Sequence, residues 1–169
     1  MSEWLTHVFI AYAGFTIFSW KVDWLTDRWI AVGVIGSALP DLSRIELLVS
    51  HDIVEYLAGI DFTWAGIHTL IGVILLSAIG ALCFGDSTAQ YRAFVSLFGG
   101  AVSHLVVDLP QRYADGRMIL DTYLSPIPVP RPPTPGWYVT PDRWVVGVAF
   151  VVALFVFGID RYRGRAVAH

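Results

Sequence analysis

The sequence predicts an all-α integral membrane protein, a helical bundle of about four to five transmembrane helices with a Pro-rich extramembrane segment. Hydrophobic residues make up 56% of the chain and charged residues 15%, whereas soluble domains are nearer about one half and one quarter. The apolar residues are also grouped in long runs and do not alternate with polar ones. The length of 169 residues corresponds to one domain. We therefore expect a single multi-pass domain over residues 1–169 in the cell membrane.

For a chain of this composition the expected partners are membrane lipids; a lipid-like substrate is expected only from the location of the candidate site and the resemblance given below. The formal net charge is -3 and no basic cluster is present, so no nucleic-acid partner is expected. Cys83 is the only cysteine, which excludes an intrachain disulfide. No Lys or Arg precedes the first apolar stretch, so we expect that stretch to be retained and not cleaved as a signal peptide. The oligomeric state stays open.

Five apolar segments carry the prediction of transmembrane helices: residues 5–20, 29–39, 62–84, 93–107 and 144–159. A spanning helix needs roughly 20 apolar residues. Segment 62–84 meets this length outright, and three others reach it with flanking residues. Segment 29–39 is short and has the length of a re-entrant or protein-buried helix, so the number of spans depends on it.

Trp and Tyr residues mark the segment ends, where an amphipathic ring favours the membrane interface. They are Trp4, Trp20, Trp24, Trp29, Trp64, Trp137, Tyr138 and Trp144. Residues 110–143 form a long polar stretch, and residues 125–135 within it read S-P-I-P-V-P-R-P-P-T-P. Proline fixes φ and lacks an N–H donor, so an extended strap at the membrane surface is expected there.

Arginines set a weak orientation for the bundle. Arg161, Arg163 and Arg165 follow the last apolar segment, and the positive-inside rule places that tail in the cytoplasm. With five crossings, residues 40–65 and 108–143 then lie on the outer side.

Five polar residues lie at the ends of the apolar segments: His7, Asp41, His68, His104 and Asp108. They alternate between segment starts and segment ends, so antiparallel helices would bring all five to one level near one membrane surface. His104 and Asp108 are four residues apart and share one helix face. Ionisable groups at membrane depth are costly, which calls for partners or a function.

Small residues extend from each of these positions at helical spacing, and such residues let membrane helices approach closely. They are Gly100 and Ser96, Ser37 and Gly33, Gly72 and Gly80, and Ala11 and Gly14. We expect these stripes to face the bundle axis, so that the polar residues converge at its mouth.

Imidazole and carboxylate together suit zinc, iron or manganese, and catalytic zinc commonly has three protein ligands and one water. We predict that a divalent metal, with zinc as the first candidate, is held by His7, His68, His104 and Asp108. Asp41 is expected to be a further ligand or the general base. Taken singly, each His is more often a hydrogen-bonding helix contact, and an Asp after Leu-Pro is often a turn residue. His51, Asp52 and Glu55 are interpreted as a solvated face.

The motifs around these residues resemble the membrane-bound metal-dependent hydrolases, inner-membrane proteins whose motifs distantly resemble zinc-dependent phospholipase C. The motifs are Thr6-His7, Gly36-Ser37-Ala38-Leu39-Pro40-Asp41, Gly66-Ile67-His68-Thr69-Leu70, Ser103-His104-Leu105-Val106-Val107-Asp108 and Tyr123-Leu124-Ser125-Pro126. The resemblance covers about residues 6–126. It implies metal-dependent hydrolysis of a lipid or lipid-linked ester or phosphoester at the bilayer surface.

Two positions depart from that family's pattern. Ser43 stands where the family usually has a second Asp, and Thr63 and Trp64 stand where it usually has a His-Arg pair. A mononuclear site and an inactive member are therefore both open. The alternative hypothesis is a non-catalytic membrane protein, either a scaffold or a small ion- or proton-coupled transporter. Candidate ligands near helix ends, away from the middle of the helices, count against transport.

Overall fold

The computed structural model describes residues 3–139 and 142–167, and within these ranges the chain forms helices and loops without a β-strand. Two isolated bridges, Gln111 with Tyr138 and Arg117 with Pro133, are the extended pairings in the described part. The α-helices are α1 Glu3–Ser19, α2 Asp27–Gly36, α3 His51–Ala58, α4 Leu70–Ala81, α5 Ser87–Asp108, the single turn α6 Leu120–Tyr123, and α7 Arg143–Val167. A first 3-10 helix covers Pro40–Leu47 and a second covers Trp64–His68. The predicted all-α class is confirmed.

Four predicted segments correspond to α1, α2, α5 and α7, but a single long helix over residues 62–84 is wrong. The chain there forms the second 3-10 helix and then α4, which has 12 residues. Thr69 separates them in an extended conformation: its hydroxyl donates to the Gly66 carbonyl at 2.7 Å and accepts from the Gly72 N–H at 3.0 Å. These two bonds end one helix and cap the next.

Among the described residues, Arg143–Gly164 is the helix that is long and apolar enough to cross a membrane. The apolar helices Trp4–Ser19 and Leu70–Ala81 are shorter, and α5 has 22 residues but a more polar composition. The predicted four to five spans therefore stay a prediction.

The bundle helices alternate in direction. α1 and α7 run parallel, because Trp20 Nε1 donates to Asp160 Oδ1 at 2.8 Å near their C-terminal ends and the rings of Phe9 and Phe150 lie 5.3 Å apart near their N-terminal ends. α4 runs antiparallel to α5, since Val73 packs with Leu105 at one end of the pair. α2 runs parallel to α5. Thus α1, α4 and α7 point one way, and α2 and α5 point the other.

The contact between α2 and α5 depends on glycine. A Cβ atom on Gly100 would collide with the carbonyl oxygen of Gly33, and one on Gly36 would collide with the backbone of Leu97. The prediction of small residues at a helix contact is therefore confirmed for this pair. It is wrong for Gly14, where a Cβ would meet nothing within 4 Å, and for Gly72, which packs against the second 3-10 helix of its own chain segment.

One of the aromatic residues predicted at the interface is a core residue. Trp29 is 5% exposed and packs in a buried cluster with Leu25, Ile30, Ala81 and Ala93. Trp137 and Trp144, by contrast, are exposed.

Residues 125–135 form no helix, in line with the extended strap predicted there. The Pro-rich segment folds back on itself: the Thr134 hydroxyl donates to the Gln111 carbonyl at 2.6 Å, and the Arg112 N–H donates to the Tyr138 carbonyl at 2.7 Å. These bonds hold the segment against the C-terminal end of α5.

We predict that Gly100→Ala destabilises the protein by about 1–3 kcal/mol, because the added methyl forces α2 away from α5. Gly14→Ala is the matched control, and it should be neutral or stabilising by up to roughly 1 kcal/mol because an alanine there is a better helix former and meets open space. Unfolding in detergent measures both. Equal stability of the two variants would contradict the close α2–α5 contact.

Candidate metal centre

Of the four residues predicted to bind metal, the three histidines converge on the carboxylate of the fourth, Asp108. His7 Nε2 lies 3.3 Å from Asp108 Oδ1, while His104 Nε2 and His68 Nε2 lie 3.3 Å and 3.7 Å from Asp108 Oδ2. Potential ligand atoms of His7, His104 and Asp108 all lie within 4.8 Å of one another. His68 joins them through Asp108 from the more exposed side.

The alternating helix directions explain this convergence. His7 lies in the early turns of α1, and His104 and Asp108 lie one turn apart at the C-terminal end of the antiparallel α5. His68 ends the second 3-10 helix, where the Thr69 cap turns the chain into α4. The same end of the bundle therefore receives a side chain from three separate elements.

Ring contacts fix the imidazoles relative to one another. The rings of His7 and His104 are stacked with centroids 3.6 Å apart and an interplanar angle of 13°. His68 meets His104 edge-on at 5.2 Å and stacks on Tyr123 at 5.7 Å. His7 and His104 are 4% and 1% exposed, so neither ring can reorient without repacking the bundle.

Backbone carbonyls select the tautomers of two of these histidines. His104 Nδ1 donates to the Ser37 carbonyl at 2.7 Å, and His68 Nδ1 donates to the Pro40 carbonyl at 3.2 Å. A carbonyl only accepts, so the proton of each neutral ring resides on Nδ1 and the lone pair is on Nε2. Metal-binding histidines are commonly oriented by such a bond to the second nitrogen.

Charge and hydrogen bonding make this cluster fit a cation. In the neutral rings of His68 and His104, the Nε2 lone pair faces an Asp108 carboxylate oxygen, which is also an acceptor. Asp108 can neutralise one imidazolium, and the nearby Asp41 is already paired with Arg44. A second positive ring stacked at short range in this buried site would therefore be poorly compensated. A single metal cation at the common point would satisfy the lone pairs and the carboxylate together.

Asp41 lies behind His104 and does not face the common point. Its Oδ2 is 4.0 Å from His104 Nδ1, on the ring edge opposite Asp108, and its Oδ1 accepts from Arg44 Nε at 3.1 Å. This geometry fits a residue that positions His104. Its role as a ligand or general base stays a prediction.

Several contacting groups were absent from the sequence-based prediction. The Ser37 and Pro40 carbonyls have no side-chain signature, so only the Leu-Pro-Asp turn hinted at them. Tyr123 belongs to one of the quoted motifs but was not assigned to the site. Arg44 could have been found from its spacing of three residues to Asp41, which places the two side chains on one helical face.

Two tyrosines hold the C-terminal end of α5, and with it Asp108. The Tyr113 hydroxyl donates to the Asp108 carbonyl at 2.9 Å, and the Tyr138 hydroxyl donates to the Val107 carbonyl at 2.6 Å. The last carbonyls of a helix lack intrahelical partners, so these bonds act as side-chain caps.

A cavity of about 610 Å³ opens next to His68, at the edge of the cluster. It lies between the two 3-10 helices and α6, and His68 forms part of its wall together with Ser43, Arg44 and Thr122. His68 is therefore the member of the cluster that an entering molecule meets first.

His51, interpreted from sequence as part of a solvated face, lies outside the cluster. Its Nδ1 is 2.8 Å from Glu46 Oε1, and its Nε2 is 3.3 Å from Asp52 Oδ1. The hydrogen bond to Glu46, with the charge of Asp52, raises the pKa of the exposed His51 imidazole.

We predict that Tyr138→Phe lowers the free energy of unfolding by about 0.5–1.5 kcal/mol, because the Val107 carbonyl loses its donor. Tyr56→Phe is the control, since Tyr56 is 88% exposed and its hydroxyl contributes little. Chemical unfolding in detergent compares the two variants. A Tyr138→Phe protein as stable as Tyr56→Phe would mean that the hydroxyl does not hold the end of α5.

Comparison with known proteins identifies the family of this chain. No curated protein and no solved structure matches the chain. A family model described as "YdjM inner membrane protein" matches residues 1–167, almost the entire sequence. The chain therefore belongs to the YdjM inner membrane protein family.

Proposed function

We propose that this protein is a multi-pass membrane hydrolase that uses one divalent metal, with zinc as the first candidate, to cleave a lipid or lipid-linked ester or phosphoester at the bilayer surface. The observation that carries the proposal is the convergence of three imidazole Nε2 atoms on the Asp108 carboxylate. His7, His68, His104 and Asp108 would hold the metal.

The alternating helix directions support the multi-pass arrangement. A helix of 22 residues such as α5 is about 33 Å long, close to the ~30 Å of a hydrocarbon core. The outward faces of α4 and α7 expose large apolar side chains, including Leu75, Ile79, Leu154 and Phe155. Such a surface suits acyl chains better than water.

Exposed apolar residues beside the cluster support a location at the membrane surface. Leu47 and Leu48 follow Arg44 and Glu46 in the chain and are 85% and 86% exposed, and Tyr56 and Leu57 on α3 are similarly exposed. A short helix with exposed apolar residues and polar neighbours can lie in the headgroup region. A lipid substrate would then reach the cavity without leaving the bilayer.

The residues divide the chemistry between them. A divalent metal would supply Lewis acidity and lower the pKa of a water molecule toward neutrality. His104 is oriented for this by the Ser37 carbonyl, with the Asp41 carboxylate nearby at 4.0 Å, and His68 is oriented by the Pro40 carbonyl. The cavity beside His68 admits the substrate, and the packed rings of His7 and His104 exclude bulk water from the opposite side.

Metal content tests the proposal directly. Purified protein should carry about one metal ion per chain by elemental analysis, and His104→Ala should lose it while remaining folded. His51→Ala is the matched control, because His51 is exposed and outside the cluster. Metal-free wild-type protein, or metal retained in His104→Ala, would contradict the proposed metal site.

Hydrolysis is measured on the same three proteins. Wild type and His51→Ala should release products from labelled lipids or phospholipids in vesicles, whereas His104→Ala should not. Stoichiometric metal without hydrolysis of any lipid tested would favour the non-catalytic alternative, a scaffold or a transporter.

Cysteine labelling tests the crossing of α4. Cys83 is exposed just after α4, and Ser50 lies before it at the metal end of the bundle. In sealed vesicles, a membrane-impermeant maleimide should label Cys83 and Ser50→Cys (in a Cys83→Ser background) from opposite sides. Labelling of both from the same side would show that α4 does not cross.

A further inference from the structure

We propose that Arg44 binds an anionic oxygen of the substrate, so that the site acts on phosphate-bearing molecules in preference to neutral esters. This inference rests on the proposed function, which leaves neutral esters and phosphoesters as alternatives. It concerns the same site but a residue that holds no metal.

Arg44 is fixed beside the cluster by Asp41. The Arg44 Nε lies 3.1 Å from Asp41 Oδ1 within one turn of the first 3-10 helix, and its Cζ lies 5.8 Å from the Trp4 ring centroid. A guanidinium presents its N–H groups in a rigid planar fork. Contacts to Nε and to the planar face therefore restrict how the whole fork is oriented.

Arg44 lies at the approach to the cluster, and its guanidinium, ion-paired with Asp41, stays positively charged at all ordinary pH values. Arg44, Ser43 and His68 line the same cavity of about 610 Å³. Asp41 links Arg44 to His104, since its two carboxylate oxygens approach one residue each. A phosphate oxygen in the cavity can accept from the Arg44 guanidinium, an interaction for which arginine is well suited. A neutral carboxylic ester offers no charge for Arg44 to bind.

Glu46 is the acidic residue of the cavity wall within the described part of the chain, and its charge is partly compensated. Glu46 Oε1 is bonded to His51 Nδ1 at 2.8 Å. This bond raises the pKa of His51 and favours the imidazolium, whose charge offsets that of Glu46. The anion-binding part of the wall is thus the Ser43–Arg44 side of the cavity.

Phosphate binding tests the proposal without an assay of activity. Inorganic phosphate is titrated by calorimetry into zinc-treated protein in detergent, and Arg44→Gln should bind it roughly 10- to 100-fold more weakly than wild type. Arg44→Lys should fall in between, because it keeps the charge and loses the fork. Arg92→Gln is the matched control: Arg92 lies near the opposite end of α5, against the Trp24 ring. It should bind phosphate as wild type does.

A second arm distinguishes lipid phosphate from free phosphate. Binding is repeated in phosphatidylcholine nanodiscs with and without phosphatidic acid. If Arg44→Gln loses only the binding of phosphatidic acid, the ligand of Arg44 is a lipid headgroup. If it loses the binding of both phosphatidic acid and inorganic phosphate, Arg44 binds phosphate in general. Unchanged affinity for both ligands in a folded Arg44→Gln protein would overturn the proposal.

The outcome is separable from that of the proposed function. Metal analysis of Arg44→Gln should give the wild-type stoichiometry, since Arg44 is not among the metal-binding residues. Metal in wild type with no Arg44 effect on phosphate would leave the hydrolase proposal and remove this one. If the wild-type protein holds no metal but Arg44→Gln still weakens phosphate binding, the Arg44 proposal stands and the hydrolase proposal fails.

Discussion

The backbone contact between α2 and α5 is the constraint on which the rest of the structure depends. Gly36 and Gly100 let the two helices approach until the backbone of α5 contacts the backbone of α2. Only at that separation does the Ser37 carbonyl reach His104 Nδ1 at 2.7 Å. The chain then turns at Pro40 and Asp41, which brings the first 3-10 helix over the end of the bundle. The packing of α2 on α5 therefore also sets the orientation of the His104 imidazole.

The cluster also carries an electrostatic requirement. Three imidazoles and one carboxylate share a space that excludes water on one side. Two of the rings already donate their Nδ1–H groups to backbone carbonyls. Such an arrangement is costly unless a positive charge lies among the Nε2 atoms. Buried polar groups that stay uncompensated are rare in folded proteins. The fold therefore maintains an arrangement that a cation would complete, at the end of the bundle where the cavity opens.

Much of the fold and of the candidate site could be predicted from the sequence. The features that were missed have a common physical cause. The convergence of His7, His68, His104 and Asp108 followed from counting helix reversals, because each reversal carries the next helix end to the same level. The break at Thr69 could not be predicted in this way. Hydropathy averaged over a segment does not register one threonine hydroxyl that bonds to the backbone on both sides. The core position of Trp29 was missed for a similar reason: segment ends and buried helix starts look alike in sequence. Asp41 was predicted near the cluster, but its place behind His104 depends on the turn after α2.

The short α4 has a consequence for the lipid around the protein. Its 12 residues measure about 18 Å, well below the ~30 Å thickness of a bilayer core. In the proposed membrane arrangement, the bundle has a hydrophobic mismatch on this side, and lipid responds to such a deficit by local thinning. The headgroups beside α4 would then sink toward the second 3-10 helix and His68. In that arrangement, the Thr69 cap that shortens α4 would bring the lipid surface down to the depth of the imidazoles.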